Sequence, residues 1–162
     1  MKGMNLSECA HIVNLLPPVN TTGGVTSVYF NMANYAHASI IVQIGVSAAA
    51  PTAVTVNAAT SAAATTTAVI PFAYYSCSTT ATSDTLGVRT AATTTGFTPG
   101  AVDNIYYTIE IDSDELLAAG NGYNYIGVTQ GNTTNSVIES MVAILTGPRF
   151  AQGSGIQATV LT

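Results

Sequence analysis

Residues 38–46, ASIIVQIGV, alternate as a half-buried β-strand alternates. In an extended chain Ile40, Val42, Ile44 and Val46 fall on one side and Ser39, Gln43 and Gly45 on the other, a period of two that no helix would keep. The same period recurs in 105–112, IYYTIEID, which places Tyr107, Ile109 and Ile111 inward and Thr108, Glu110 and Asp112 outward. In 53–58, Val54 and Val56 oppose Thr55 and Asn57. Segment 67–77, TAVIPFAYYSC, is apolar on both faces, as a central sandwich strand is, with Pro71 marking an edge or bulge. Asn121-Gly122 gives a tight-turn signal before a strand at 123–130, and 137–146 and 156–161 complete about eight strands.

One short helix is expected near 113–119. Ser113 suits its N-cap, Asp114 and Glu115 its first turn, Leu116 and Leu117 its inner side, and Gly120 its end. The alanine-rich stretches 46–68 and 79–98 look helical at first sight. Their interleaved Thr, Ser and Pro51 turn them to strand and loop, because branched and hydroxylated side chains weaken a helix. Many short strands, close turns and almost no helix predict an all-β fold, an antiparallel β-sandwich of jelly-roll type. Residues 1–24, with Pro17-Pro18 and Gly23-Gly24, read as an extended N-terminal arm, and 25–162 as a single sandwich domain. A chain of 162 residues is one domain's worth and long enough to bury a core.

Charge is the anomaly. Charged residues make up 7% of the chain, against about 25% in an ordinary soluble domain. No formal charge lies between Glu8 and Asp84, a run of 75 residues with only His11 and His37 titrating near neutrality. A folded monomer of this size exposes roughly 7,500 Å², so the charges are spread far more thinly than on a freely diffusing protein. This sparsity predicts a surface largely occupied by neighbours. Three basic residues and a net charge of −5 remove the phosphate-neutralising footing of a nucleic-acid binder. Thr, Ser and Asn interrupt every apolar run, so no transmembrane helix is expected, and the five-residue apolar patch before Pro17 is too short for a signal-peptide core. Cys9 and Cys77 lie far apart without ligand spacing, which suggests two reduced, packed thiols and no zinc site.

Few constellations carry chemistry. Glu110, Asp112 and Asp114 in EIDSDE (110–115) form the densest acidic cluster and are the only candidates for a hard cation such as Ca²⁺, though the spacing lacks the glycine and distal glutamate of a calcium loop. No motif places a nucleophile beside either histidine, so neither catalysis nor a cofactor is expected; a fixed grouping of His37 with a carboxylate and a Ser or Cys would reopen the question. GNG at 120–122 and GSG at 153–155 lack the context of a phosphate loop. Tyr29, Tyr35 and Tyr106, whose apolar bodies carry polar tips, and Arg149, which needs a carboxylate partner, are the candidate interface residues.

The order PPVNTTGGV (17–25), VYFNMANYAHASIIVQIGV (28–46), IPFAYYSC (70–77), SDTLGV (83–88), YYTIEIDSDEL (106–116) and SVIESMVAILTGPRFA (136–151) resembles the head decoration, or cement, proteins of tailed bacteriophages. The resemblance covers about two-thirds of the chain and, SDTLGV apart, leaves 79–104 unmatched. It implies a non-enzymatic virion protein that assembles in the host cytoplasm and clamps the outer surface of the capsid. Its implied partners are copies of itself, trimers ahead of dimers, and a major capsid protein, with no nucleic acid and no membrane. The alternatives are another phage structural subunit, major capsid or tail tube, and a carbohydrate-binding or adhesin module suggested by the tyrosines and the 110–115 acids.

Overall fold

The computed structural model describes residues 5–48, 50–77, 85–149 and residue 159. The chain forms two antiparallel sheets around one hydrophobic core. Eleven strands are present among the described residues: β1 His11–Asn20, β2 Val25–Thr26, β3 Phe30–Asn31, β4 Tyr35–Ser47, β5 Val54–Ala59, β6 Thr67–Ile70, β7 Phe72–Ser76, β8 Thr90–Ala92, β9 Ile105–Asp112, β10 Tyr125–Gln130 and β11 Val137–Pro148. The larger sheet has the order β1-β11-β4-β9-β7-β8 and the smaller β2-β10-β5-β6, with β3 also pairing β10. The expected all-β sandwich is therefore the fold. No described helix is long and apolar enough to cross a membrane.

The alternation read from 38–46 governs the packing. Ala38, Ile40, Val42 and Ile44 of β4 are fully buried, as are Ile109 and Ile111 of β9. Ile126 and Val128 of β10 and Val54, Val56 and Ala58 of β5 meet them from the other sheet in the same cluster. Val46 departs from the pattern: it is 65% exposed, because the β4–β11 register shifts between Ile44 and Ser47 and breaks the alternation there.

Two expectations need correction. The stretch 11–20 is extended, but it is not an arm standing apart from the sandwich. It is an edge strand paired along β11 from His11↔Leu145 to Asn20↔Ile138, with Val13, Leu15 and Leu16 buried. The ladder slips between Asn14 and Leu16 and between Leu16 and Val19, where Pro17 and Pro18 have no N–H to give. Segment 67–77 is two strands rather than one. Pro71 is the corner at which the chain leaves β6 in the smaller sheet and enters β7 in the larger, which explains how both of its faces read as apolar.

The helix at Ser113–Ala119 is 3-10, with Asp112 rather than Ser113 at the N-cap. The Asp112 N–H donates to Glu115 Oε2 at 3.0 Å, Leu116 is buried, and Gly120 ends the helix at φ 119°. Leu117, expected inside, is 65% exposed. Within the unmatched 79–104, Phe97 crosses between the sheets. It stacks on Tyr74 at 4.1 Å, and its backbone exchanges hydrogen bonds with Val54 of β5. The strand expected at 156–161 and residues 78–84 lie outside the described residues.

Candidate functional site

The two sheets present different outer surfaces. On the smaller sheet the exterior of β2, β10 and β5 is covered by its own side chains, while Val69 of β6 stays exposed. Thr26 and Thr129 hydroxyls lie 3.0 Å apart, and Asn57 Nδ2 donates to Thr129 Oγ1 at 2.9 Å. The Tyr29 ring covers Gly127 so closely that a Cβ there would sit 2.7 Å from it. Tyr29 is 8% exposed and Tyr35 1%, the latter turned inward and stacked with His11, so neither tyrosine is available as an interface residue.

The outer face of the larger sheet is open. Its rows follow from the register: Asn14, Val142, Ile41, Thr108 and Tyr75 across the middle; Ile12, Ile144, Ser39, Glu110, Ala73 and Ala91 on one side; Ser140, Gln43 and Tyr106 on the other. Ile12 is 49% exposed, Ile138 40% and Tyr106 39%, while Ile41, Val142, Ile144 and Tyr75 are half-buried. Among these interface candidates from the sequence, Tyr106 alone is on this face and exposed.

Among the described residues, groups that titrate near neutrality gather at one end of this face. There His37 of β4 is opposite Asp112 of β9, and Ser39 is opposite Glu110. His37 Nδ1 is 2.7 Å from Asp112 Oδ1 and its Nε2 is 2.7 Å from Glu110 Oε2. Ser39 Oγ donates to the same Glu110 oxygen at 2.6 Å and lies 3.3 Å from Nε2. Partial burial disfavours the imidazolium, but the hydrogen bonds and negative charges of Asp112 and Glu110 outweigh it and raise the His37 pKa above its ordinary value. An imidazole held by carboxylates at both nitrogens donates from both, so this is an ion-paired clamp across β4 and β9.

Two of the three metal candidates, Glu110 and Asp112, are thus brought together, but through His37 rather than around a cation. Asp114 sits apart in the first turn of the 3-10 helix, and no described cluster has the donors for a metal ion. Asp114 instead lines a cavity of about 610 Å³ with Ala36, Asp112, Ser113, Glu115 and Arg149. Burial raises the Glu115 pKa, and the Asp112 charge adds to the rise against the pull of its hydrogen bond and of Arg89 and His37. Among the described residues Arg149 forms no ion pair with a carboxylate. Its guanidinium donates to Ser113 Oγ and its backbone N–H to Asn34 O at 2.9 Å, which pins the end of β11 to the helix and the β3–β4 turn. Cys77 is buried as expected, whereas Cys9 is exposed.

Sequence reasoning missed Glu139. It is 1% exposed on the inner face of β11, level with Val19 and Ile44, and neither carboxylate oxygen has a hydrogen-bond partner. Burial pushes its pKa up to about 7. The signal was the alternation of VIESMVAIL, which sets Glu139 in phase with Val137, Met141, Ala143 and Leu145.

No family model, curated protein or solved structure matches this chain.

Proposed function

We propose that the protein is a structural subunit of a virion, a decoration protein that binds the outer surface of a bacteriophage head and stabilises the lattice through subunit contacts. The observation that carries this reading is the open face of the larger sheet, whose middle row, Asn14 to Tyr75, holds no ionisable group near neutral pH. An uncharged patch that carries Val142, Ile41 and Tyr75 suits a contact surface, because the buried parts of interfaces are poor in charge. The acidic balance of the chain suits an outer layer better than a DNA-facing lumen. A subunit that binds only the assembled lattice stabilises it by mass action, and several modest contacts add through multivalency. Added to undecorated heads, the purified protein raises their disassembly temperature. Absence of both binding and shift overturns the reading.

A second reading, hydrolysis, is favoured by one observation, the approach of Ser39 Oγ to His37 Nε2 with Asp112 on Nδ1. Against it, Glu110 occupies Nε2 and accepts the Ser39 proton, so the imidazole has no lone pair to act as base. A fluorophosphonate probe separates the two: labelling of Ser39 supports hydrolysis, and an unlabelled folded protein removes it.

A further inference from the structure

We infer that the open face of the larger sheet is covered by the same face of a second copy, packed sheet on sheet about a two-fold axis. The inference rests on the assembly reading above and names the neighbour.

The face itself limits what can cover it. Across its centre Ile41, Val142, Ile144 and Tyr75 alternate with Thr108, Ser39 and Asn14, all of them uncharged. A partner recognised by charge finds nothing to read there, whether it is a basic peptide, an anionic surface or nucleic acid. The surface calls for another flat, neutral, β-branched one at the spacing of about 10 Å usual between sheets. The described residues supply such a face on the larger sheet. On the smaller one the Thr26, Thr129 and Asn57 hydrogen bonds and Tyr29 cover β2, β10 and β5 and leave Val69 of β6 exposed.

The area is sufficient. From β1 to β7 the face spans five strands, and from Thr146 to Ile138 it runs eight residues. Strand spacing and rise make this roughly 650 Å² per copy, about 1,300 Å² for a pair, within the range of stable specific interfaces.

Charge collects at the margins of the face. His37, Glu110 and Asp112 occupy one end, and Asp103, whose carboxylate accepts the Ser47 N–H, borders the other beside Gly45. The pair therefore has an uncharged centre and a charged rim, the ordinary anatomy of an interface. A two-fold pair also differs from the trimer that the resemblance implies.

The test is the oligomeric state of the full chain by analytical ultracentrifugation between 1 and 100 μM, about the range for a modest interface. The wild type sediments as a dimer. Val142→Lys, at the centre of the face, weakens the dimer at least tenfold, whereas Val69→Lys on the smaller sheet leaves it unchanged. Because Val142→Lys is judged only if its near-ultraviolet circular dichroism is native, hydroxyl-radical footprinting of wild-type Tyr75 and Tyr106 supplies a second readout. Both become protected as the dimer forms. A monomer throughout the range, a trimer, or a dimer indifferent to Val142→Lys with unprotected tyrosines overturns the pairing. A monomer that still binds heads sinks the pairing and leaves the decoration reading intact; a dimer that ignores heads does the reverse.

Discussion

Glu139→Gln tests the energetics of the core directly. In the folded chain the Glu139 pKa stands near 7, against 4.5 for the free side chain. Each unit of difference is worth about 1.36 kcal/mol, so ionising this carboxyl in place costs the fold about 3 kcal/mol. The sign follows from which state holds the proton. Between pH 4.5 and 7 the folded chain keeps it and the unfolded chain has lost it, so stability falls as pH rises through that window and levels off above it. Glutamine cannot titrate. Its amide is short of partners, as is the protonated carboxyl it replaces, so the two proteins differ little at pH 4.5. The variant then gains about 3 kcal/mol relative to wild type by pH 8. Urea unfolding at half-unit pH steps measures this. The diagnostic quantity is the change in the difference between the two proteins, since His37 also loses stabilisation on the alkaline side and does so equally in both. Parallel pH curves would refute the burial of an unpartnered carboxyl.

Other expectations concern the clamp and the close contacts. His37→Asn removes the bridge between Glu110 and Asp112 and costs about 1 kcal/mol, the scale of a solvent-screened ion pair. Because the His37 pKa is raised by folding, that loss is full below about pH 6.5 and vanishes as pH rises through the folded value, which thermal melts at pH 5.5 and 9 will show. Gly127→Ala drives a methyl into the Tyr29 ring and destabilises by roughly 1–3 kcal/mol; combining it with Tyr29→Ala makes the two effects less than additive in a denaturant cycle. Gly96→Ala is worse. Its φ is 74° and the new Cβ would lie 2.0 Å from Val54 O, so the Val54–Phe97 bridge opens and amide exchange at Val54 and Phe97 accelerates.

Much of the architecture was legible because a strand half in water writes its two faces into alternate residues. The segment 105–112 forms β9 with the same bounds, and Tyr107, Ile109 and Ile111 are inside as their phase required. Scarcity of charge was equally visible, since composition needs no fold. Pro71 was recognised as a break, but whether it is a bulge or a corner depends on which sheet receives the next strand, and β7 pairs with β9, more than 30 residues on.

The site was another matter. His37 lies 75 residues from Asp112 and 73 from Glu110, and their meeting depends on the β4–β9 register, which a shift of one residue would undo. Aromatic side chains suit core and surface equally well, so Tyr29 and Tyr35 could be told from Tyr106 only by what folded over them. The sequence by itself determined a sparsely charged β-sandwich, because hydropathy and period act locally along the chain. Tertiary structure alone decided which face stays open, where the few charges collect and which acid is stranded inside, because pairing between distant strands sets each of those.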